Sequence, residues 1–121
     1  MARDLEGPIQ KAIVEYLRRQ FPRAYVSSIP NELASKTGSR KDGADRQFSI
    51  MKVQAKAKEL GMLPGAPDLV MLHQGRAYAF EVKAEGNTQQ KNQKAVQAVW
   101  EANGGTYAVV RSIDDVKAVL L

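Results

Sequence analysis

Apolar residues recur every three or four positions in the segment GPIQKAIVEYLRRQF, residues 7–21. This spacing predicts an amphipathic helix whose apolar stripe consists of Ile9, Ile13, Tyr16 and Leu17. Pro8 suits the first helical position, where its missing N–H breaks no intrahelical hydrogen bond. The next apolar segment, AYVSSI at residues 24–29, alternates only in part and predicts a short strand.

The middle of the chain is polar and basic. Residues 31–44 contain glycine and few apolar side chains, which predicts a loop, and residues 46–60 predict a helix capped by Asp45. Lys52 and Lys56 lie four positions apart on the outer face of that helix. Two interpretations of this face stay open: a solvated surface and a contact with nucleic-acid phosphates.

A second helical pattern occupies the segment EGNTQQKNQKAVQAVWEANGG, residues 85–105. Thr88 is the predicted N-cap, and Gly104 and Gly105 are expected to end the helix. Its apolar stripe consists of Ala95, Val96, Val99 and Trp100. We expect this stripe to pack into the core, which favours a packing role for Trp100 over stacking on a nucleobase.

The remaining apolar runs predict the sheet. PGAPDLVMLHQGRAYAFEVK, residues 64–83, has two apolar stretches split by HQGR and predicts a hairpin. TYAVV at residues 106–110 predicts a strand, and SIDDVKAVLL predicts a terminal helix capped by Ser112. Together these elements predict one mixed α/β domain over residues 1–121, with a sheet of about four strands flanked by helices.

Composition narrows the chemistry that this domain can carry. The chain has no cysteine, which excludes thiolate zinc sites, and a single histidine, which excludes histidine clusters. That histidine, His73, lies at the predicted hairpin turn, where we expect it to be exposed. Any metal must therefore be held by carboxylates and carbonyls, which favours Mg²⁺ or Mn²⁺. The net charge of +5 suits a polyanionic partner.

The hydropathy of the chain predicts a soluble, cytoplasmic protein with no membrane partner. No run approaches the ~20 apolar residues of a membrane span. The N-terminal residues MARDLEGP lack the apolar core of a signal peptide.

Charges interrupt the predicted hairpin at matched positions. A two-residue turn through Gln74 and Gly75 pairs residues whose positions have a constant sum, so Asp68 falls directly opposite Glu81. Their Cβ atoms would then lie roughly 4.5–5.5 Å apart, and Lys83 would share their face. Two such carboxylates repel unless something compensates their charge, and a divalent cation that bridges them is the obvious candidate. The alternative is a salt bridge to Lys83 at the rim of the sheet.

Pro67-Asp68, followed after twelve residues by Glu81-Val82-Lys83, resembles the PD-(D/E)xK nuclease signature. The sequence is most similar to the VRR-NUC branch, the virus-type replication-repair nuclease domain. That likeness rests on a glycine-x-proline-aspartate at residues 65–68, on an E-x-x-[ILV]-Q pattern and on a helix glutamine before a glycine. Glu6, Ile9 and Gln10 form the E-x-x-[ILV]-Q pattern in this chain. The helix glutamine is Gln93, with Gln90 as the alternative. The resemblance implies a restriction-endonuclease-like core.

The same resemblance implies the roles of the site residues. The metal, Mg²⁺ or Mn²⁺, would be held by Asp68, by Glu81 and by the backbone carbonyl of Val82, with Glu6 as a ligand directly or through water. Lys83 would orient the attacking water or stabilise the transition state, and Gln93 would steady Lys83 or the water. Asn31 matches a position where this family often has asparagine on the substrate side.

The function implied by the resemblance is that of a metal-dependent DNA endonuclease, a phosphodiester hydrolase of phages or bacteria involved in DNA repair. Relatives of this kind act as homodimers on branched DNA, including four-way (Holliday) junctions. The basic side chains expected to follow the DNA backbone are Arg40, Lys41, Lys52 and Lys56. Two other functions stay open: a DNA-binding module without catalysis, and a nuclease that cuts flaps or linear duplex. A nucleoid-associated location would suit any of these functions.

Overall fold

The structure is a computed structural model that describes residues 5–30 and 43–121, with the side chains of residues 43–50 outside the description. Four helices and four strands follow one another along these residues. Their bounds are α1 Glu6–Gln20, β1 Tyr25–Ser28, α2 Gly43–Glu59, β2 Leu69–His73, β3 Arg76–Val82, α3 Lys91–Ala102, β4 Thr106–Val110 and α4 Ile113–Leu120. The order of helices and strands is the one that the sequence predicts.

The strands form one mixed sheet in the order β1-β2-β3-β4. β1, β2 and β3 pair antiparallel, whereas β4 pairs parallel to β3. The parallel pair requires a crossover, and α3 supplies it between the two strands. The predicted α/β class with a four-stranded sheet is confirmed.

The core lies between the sheet and the helices α1 and α4. Ile13 and Leu17 of α1 and Val116 of α4 are fully buried against apolar side chains of the strands. β3 is the most buried strand, because every residue from Tyr78 to Val82 is inaccessible to solvent or nearly so. A strand buried on both faces has no solvated face on which a charge could lie, so Glu81 needs an explanation.

The helix starts differ from the prediction. α1 begins at Glu6 rather than at Pro8, which the first turn tolerates because its N–H groups have no intrahelical partner. Thr88 does not cap α3, because that helix begins at Lys91 and Gln90 is its N-cap. The cap prediction for α4 is confirmed, since the Ser112 hydroxyl accepts a hydrogen bond from the Asp115 N–H at 3.2 Å.

The apolar stripe of α3 does not enter the core, so the packing prediction for that helix was wrong. None of its residues is buried, and Val99 is 64% exposed. The stripe instead lines a groove of about 670 Å³, together with Leu63, Pro64, Pro67 and Ala77. Trp100 is half-buried there, and its Nε1–H donates to the Thr106 carbonyl at 2.9 Å.

His73 also differs from the prediction of an exposed turn residue. It is the last residue of β2 and is half-buried, with its ring centroid 5.2 Å from that of Phe21. The turn proper consists of Gln74 and Gly75, both of which have positive φ angles, 50° and 78°. The packing of the imidazole on the aromatic ring explains its burial without any role in a site.

Some predictions concern residues outside the described ranges. They include most of the predicted loop, together with Asn31, Arg40 and Lys41. Within the described ranges, no helix combines the length and the apolar character that a membrane span needs.

Candidate active site

The hairpin register brings Asp68 and Glu81 to facing positions. His73 pairs with Arg76 and Leu69 with Phe80, so the next pair in the same register is Asp68 with Glu81. The predicted register is therefore confirmed. Asp68 is half-buried and continues the pairing of β2 with β1, because its carbonyl accepts a hydrogen bond from the Ile29 N–H at 2.9 Å.

Backbone groups fix the Asp68 carboxylate across the hairpin. Its Oδ2 atom accepts a hydrogen bond from the Val82 N–H at 2.8 Å. Pro67, which precedes it, is buried and restricts the conformation of the turn. The carboxylate therefore points across the hairpin toward β3.

The Glu81 carboxylate is buried, with 2% of the residue exposed, and has a hydrogen-bond donor on each oxygen. The Gln93 Nε2–H donates to Oε2 at 3.0 Å, and the Tyr107 hydroxyl donates to Oε1 at 3.2 Å. The Lys83 Nζ atom lies 4.0 Å from Oε2. Two hydrogen-bond donors from different elements therefore hold this carboxylate in one orientation, and the Lys83 ammonium lies beside it.

Burial, and after it the hydrogen bond and the negative charge of Asp68, raise the pKa of Glu81 from 4.5 to about 8. The positive charge of Lys83 and the Tyr107 hydrogen bond act in the opposite direction but do not cancel these effects. Two facing carboxyl groups in a buried position cannot both ionise without a counter-charge. Without a cation, the pair therefore retains a proton at neutral pH.

Lys83 is buried next to the carboxylates, with 8% of the residue exposed. Its backbone N–H donates to the Val110 carbonyl at 3.0 Å, which extends the parallel pairing of β3 with β4. The ion pair that the salt-bridge interpretation requires, Lys83 with Glu81, is present at 4.0 Å but is buried rather than at a rim. A buried ion pair is weak evidence for a purely stabilising role, because desolvation offsets the attraction.

Gln93 is the helix glutamine that reaches the site. Its Oε1 atom accepts from the Gln90 N–H at 2.8 Å, so the first turn of α3 fixes the side chain, and its Nε2–H donates to Glu81. Gln90 is the N-cap and completes this capping box. Of the two glutamines, Gln93 is therefore the one whose side chain contacts Glu81. The described hydrogen bonds of Gln93 go to the carboxylate and to its own helix rather than to Lys83.

Gly65 allows the turn before Asp68 to contact α3 directly. Its φ angle is +85°, and a Cβ atom there would lie 2.7 Å from the Asn92 carbonyl carbon and oxygen and 2.9 Å from the Gln93 nitrogen. Only glycine tolerates both the conformation and the contact. The glycine of the glycine-x-proline-aspartate sequence thus joins the turn that carries Asp68 to the helix turn that carries Gln93.

Glu6 lies against the loop that follows Lys83. Its Oε2 atom accepts hydrogen bonds from the Ala84 N–H at 3.0 Å and from the Asn87 side chain at 3.1 Å. Arg111 donates to the Asn87 carbonyl at 2.6 Å and holds the same loop from the end of β4. In the described part of the chain, no three or more carboxylates and imidazoles converge on one point. Glu6 therefore lies near the site, but it does not join Asp68 and Glu81 in a three-carboxylate cluster.

The donor set of the site fits a hard divalent cation. Asp68 and Glu81 face each other with carboxylate oxygens, and a cation between them would favour the ionised form of both. Two carboxylates with carbonyl and water ligands match the coordination that Mg²⁺ adopts in proteins.

Lys52 and Lys56 are exposed on α2, whose residues 51–59 are exposed except for Val53 and Ala57. The Lys56 Nζ atom lies 3.9 Å from Glu59 Oε2 on the same helix. The structure thus places both lysines at the surface.

Tyr107 is the contact to Glu81 that the sequence pattern missed. A tyrosine within the apolar run TYAVV is typical of a core strand, and nothing local connects it to a carboxylate 26 positions earlier. The signal would have been the parallel pairing of the two strands, which places them side by side.

Solved structures show where this arrangement of elements occurs elsewhere. One, described as a VRR_NUC domain, superposes with a TM-score of 0.60 and 21% sequence identity, over 95% of this chain and 92% of that chain. Another, described as a VRR_NUC domain protein, has a TM-score of 0.68 and 21% identity, over 99% of this chain and 88% of that chain. The chain has the VRR-NUC fold. The resemblance found in the motifs is therefore confirmed for the fold.

The other comparisons add no further relatives. No protein-family model matches the sequence, and no curated protein matches it. The assignment of the VRR-NUC fold therefore rests on structure, with the motif residues Asp68, Glu81 and Lys83 at the positions described above.

Proposed function

We propose that the chain is a metal-dependent endonuclease that hydrolyses phosphodiester bonds in DNA. The observation that supports this most strongly is that the half-buried carboxylate of Asp68 faces the buried carboxylate of Glu81, with the buried Lys83 beside them. A fold alone does not define an activity, so the proposal rests on these side chains. In a protein with the VRR-NUC fold, the activity expected of such a site is that of a nuclease.

In this proposal Asp68 and Glu81 would hold Mg²⁺ or Mn²⁺ together with the backbone carbonyl of Val82, and Glu6 would contribute directly or through a water molecule. The bound cation would acidify a water and neutralise negative charge on the phosphate. The hydrogen bond from the Val82 N–H to Asp68 keeps that carboxylate on the β3 side of the hairpin. Binding of the cation would release the proton that the carboxyl pair retains in its absence.

Lys83 acts on the substrate side in this scheme. Its Nζ atom is 4.0 Å from Glu81, too long for a strong hydrogen bond, so its donors remain available for a water or a phosphate oxygen. An ammonium held in a buried position stabilises developing negative charge more than one in water. Gln93 holds the Glu81 carboxylate in place while the charge distribution changes.

The DNA backbone would be contacted by Arg40, Lys41, Lys52 and Lys56. The net charge of +5 and the exposure of Lys52 and Lys56 support this part of the proposal. We further propose branched DNA, including four-way junctions, as the preferred substrate, acted on by a homodimer in the cytoplasm. A four-way junction needs two cuts on symmetric strands, and the described part of one chain supplies one such carboxylate pair.

The test is cleavage of labelled DNA substrates with Mg²⁺ or Mn²⁺ and with a chelator in place of the metal. The panel contains linear duplex, a flap, a splayed arm and a four-way junction. We expect metal-dependent cutting, fastest on the junction, and none by Asp68→Asn. Binding of the panel without any cutting would contradict the proposal and favour the non-catalytic DNA-binding module. Faster cutting of flaps or linear duplex would overturn only the substrate preference.

A further inference from the structure

The two oxygens of Glu81 have donors that come from different parts of the fold. Gln93, in the first turn of α3, donates to Oε2 at 3.0 Å, and Tyr107, in β4, donates to Oε1 at 3.2 Å. An ionised carboxylate offers about four lone-pair positions. With one donor on each oxygen, an ionised Glu81 could still accept further ligands, and Asp68 approaches the same carboxylate from the facing position.

The parallel pairing of β3 and β4 explains how Tyr107 reaches Glu81. Tyr107 pairs with Ala79, and Glu81 pairs with Val109, so the tyrosine lies on the same sheet face two positions before the partner of Glu81. The small side chain of the fully buried Ala79 leaves room for the phenol ring to lie along the neighbouring strand. The ring is buried, with 6% of the residue exposed, so its hydroxyl has little access to water.

We propose that Tyr107 is a positioning residue that orients the Glu81 carboxylate for metal binding. The inference rests on the proposed function, because it assumes that Glu81 is a metal ligand. Tyr107 fixes the rotation of the carboxylate about its long axis, which a single donor from Gln93 leaves free. Groups that hold a metal ligand in this way typically change metal affinity or activity by about 10–100-fold when they are removed.

A chain of polar side chains continues from Tyr107 toward the surface of α3. The Gln89 side chain interacts with the Tyr107 hydroxyl, and its Nε2–H donates to Gln97 Oε1 at 2.9 Å. Gln97 in turn donates to Glu101 at 3.2 Å. The phenol hydroxyl therefore has two partners, Gln89 and Glu81, and the contact with Gln89 keeps the hydroxyl in place, as a positioning role requires.

The competing explanation is that the hydroxyl merely finds a partner because burying it unpaired would destabilise the fold. The two explanations differ in what removal of the hydroxyl changes. A positioning role lowers metal affinity in the folded protein, whereas a structural role lowers only the stability.

The experiment compares wild type, Tyr107→Phe and Tyr78→Phe, each as the full chain. Tyr78 is the matched control: it is a buried tyrosine of β3, three positions from Glu81 and thus on the opposite face, with its ring stacked on Phe80. Three properties are measured: Mn²⁺ affinity by calorimetric titration, thermal unfolding without metal, and the Mn²⁺ concentration that gives half-maximal cleavage.

We expect Tyr107→Phe to bind Mn²⁺ about 10–100-fold more weakly than wild type. Its half-maximal Mn²⁺ concentration should rise by a similar factor, with most of the cleavage rate restored at saturation. Tyr78→Phe should keep the wild-type affinity even if it unfolds at a lower temperature. If Tyr107→Phe does not fold, Gln89→Ala is measured instead. This variant removes the side chain that contacts the Tyr107 hydroxyl, lies outside the sheet, and should show a smaller decrease in Mn²⁺ affinity.

Wild-type Mn²⁺ affinity in Tyr107→Phe would overturn the inference and leave the nuclease proposal intact. If only Gln89→Ala can be measured, unchanged affinity in that variant has the same meaning. A wild-type protein that binds Mn²⁺ but cuts no DNA would overturn the nuclease proposal, while the calorimetry would still decide the role of Tyr107. No Mn²⁺ binding by wild type would overturn both.

Discussion

Two lysine–glutamate pairs of this chain have almost the same separation and very different surroundings. Lys83 lies 4.0 Å from Glu81, and their side chains are 10% and 3% exposed. Lys56 lies 3.9 Å from Glu59, and those side chains are 65% and 71% exposed. The exposed pair contributes at most about 1 kcal/mol, because water screens both charges. The distance of an ion pair therefore does not identify a functional site; its burial and its further partners do.

The surroundings of the two pairs explain the difference. Glu59 follows Lys56 by one helical turn on α2, an arrangement that many solvated helices have. Glu81 instead faces a second carboxylate, Asp68, and its own pKa is raised to about 8. An arrangement that disfavours the ionised carboxylate is costly for folding, and such sites are enriched in catalytic and metal-binding centres.

The largest expected effect separates the two lysines directly. Lys83→Ala should reduce cleavage by about 10²-fold or more, because one interaction with the transition state is removed. The fold and Mn²⁺ binding should remain. Lys56→Ala, which removes a lysine at almost the same distance from a glutamate, should cut at nearly the wild-type rate when DNA is saturating, because Lys56 is proposed to contact only the DNA backbone. Near wild-type turnover of Lys83→Ala would return Lys83 to the salt-bridge interpretation.

Gly65 tests whether the carboxylate pair depends on the contact between its turn and α3. Gly65→Ala should destabilise the fold by about 1–3 kcal/mol and reduce cleavage, because the added Cβ atom meets the backbone of Asn92 and Gln93. The matched control is Gly104→Ala at the other end of α3. Its φ of +87° is nearly that of Gly65, +85°, but nothing lies within 4 Å of its added Cβ. Denaturant unfolding and cleavage of both variants give the comparison, and equal decreases in both would mean that backbone strain, not the contact, matters.

The raised pKa of Glu81 predicts how stability depends on pH. A carboxyl group whose pKa rises from 4.5 to about 8 on folding binds more protons in the folded state between these values. The stability that Glu81 contributes is thus fully present below pH 4.5 and is lost as the pH rises through 8. Glu81→Gln should remove this dependence in metal-free protein, as measured by denaturant unfolding from pH 5 to pH 8. The same dependence in both proteins would contradict the assignment.

The local patterns predicted the hairpin correctly and the start of α3 incorrectly, for physical reasons. Gln74 and Gly75 fill a two-residue turn with positive φ angles, and such a turn fixes the register of the whole hairpin. Threonine is a common N-cap, so Thr88 was favoured, but the reciprocal hydrogen bonds of Gln90 and Gln93 place the N-cap two residues later, at Gln90, and the helix begins at Lys91. Tyr107 could not be predicted, because its contact depends on strands that are joined by a whole helix.

The smallest expected effect concerns the basic side chains proposed to follow the DNA backbone. Replacing Arg40, Lys41, Lys52 and Lys56 together should weaken binding of every DNA. The slope of log affinity against log salt concentration should become less steep by up to ~0.9 for each phosphate that the variant no longer neutralises. The affinity for metal should not change, because none of the four is a proposed ligand. Binding of a four-way junction and a linear duplex is measured over a salt series, with Ca²⁺ to suppress cutting. An unchanged affinity and an unchanged salt slope would mean that these four side chains are solvated and that other residues bind the DNA.

The central claim is that Asp68 and Glu81 form one metal site, and calorimetric titration of Mn²⁺ tests it most directly. Wild type should bind Mn²⁺ with measurable heat and release a proton near neutral pH, because the carboxyl pair holds one without the cation. Asp68→Asn removes one of the two charges and should bind no Mn²⁺ while remaining folded. Equal binding of Mn²⁺ by wild type and Asp68→Asn would contradict the claim.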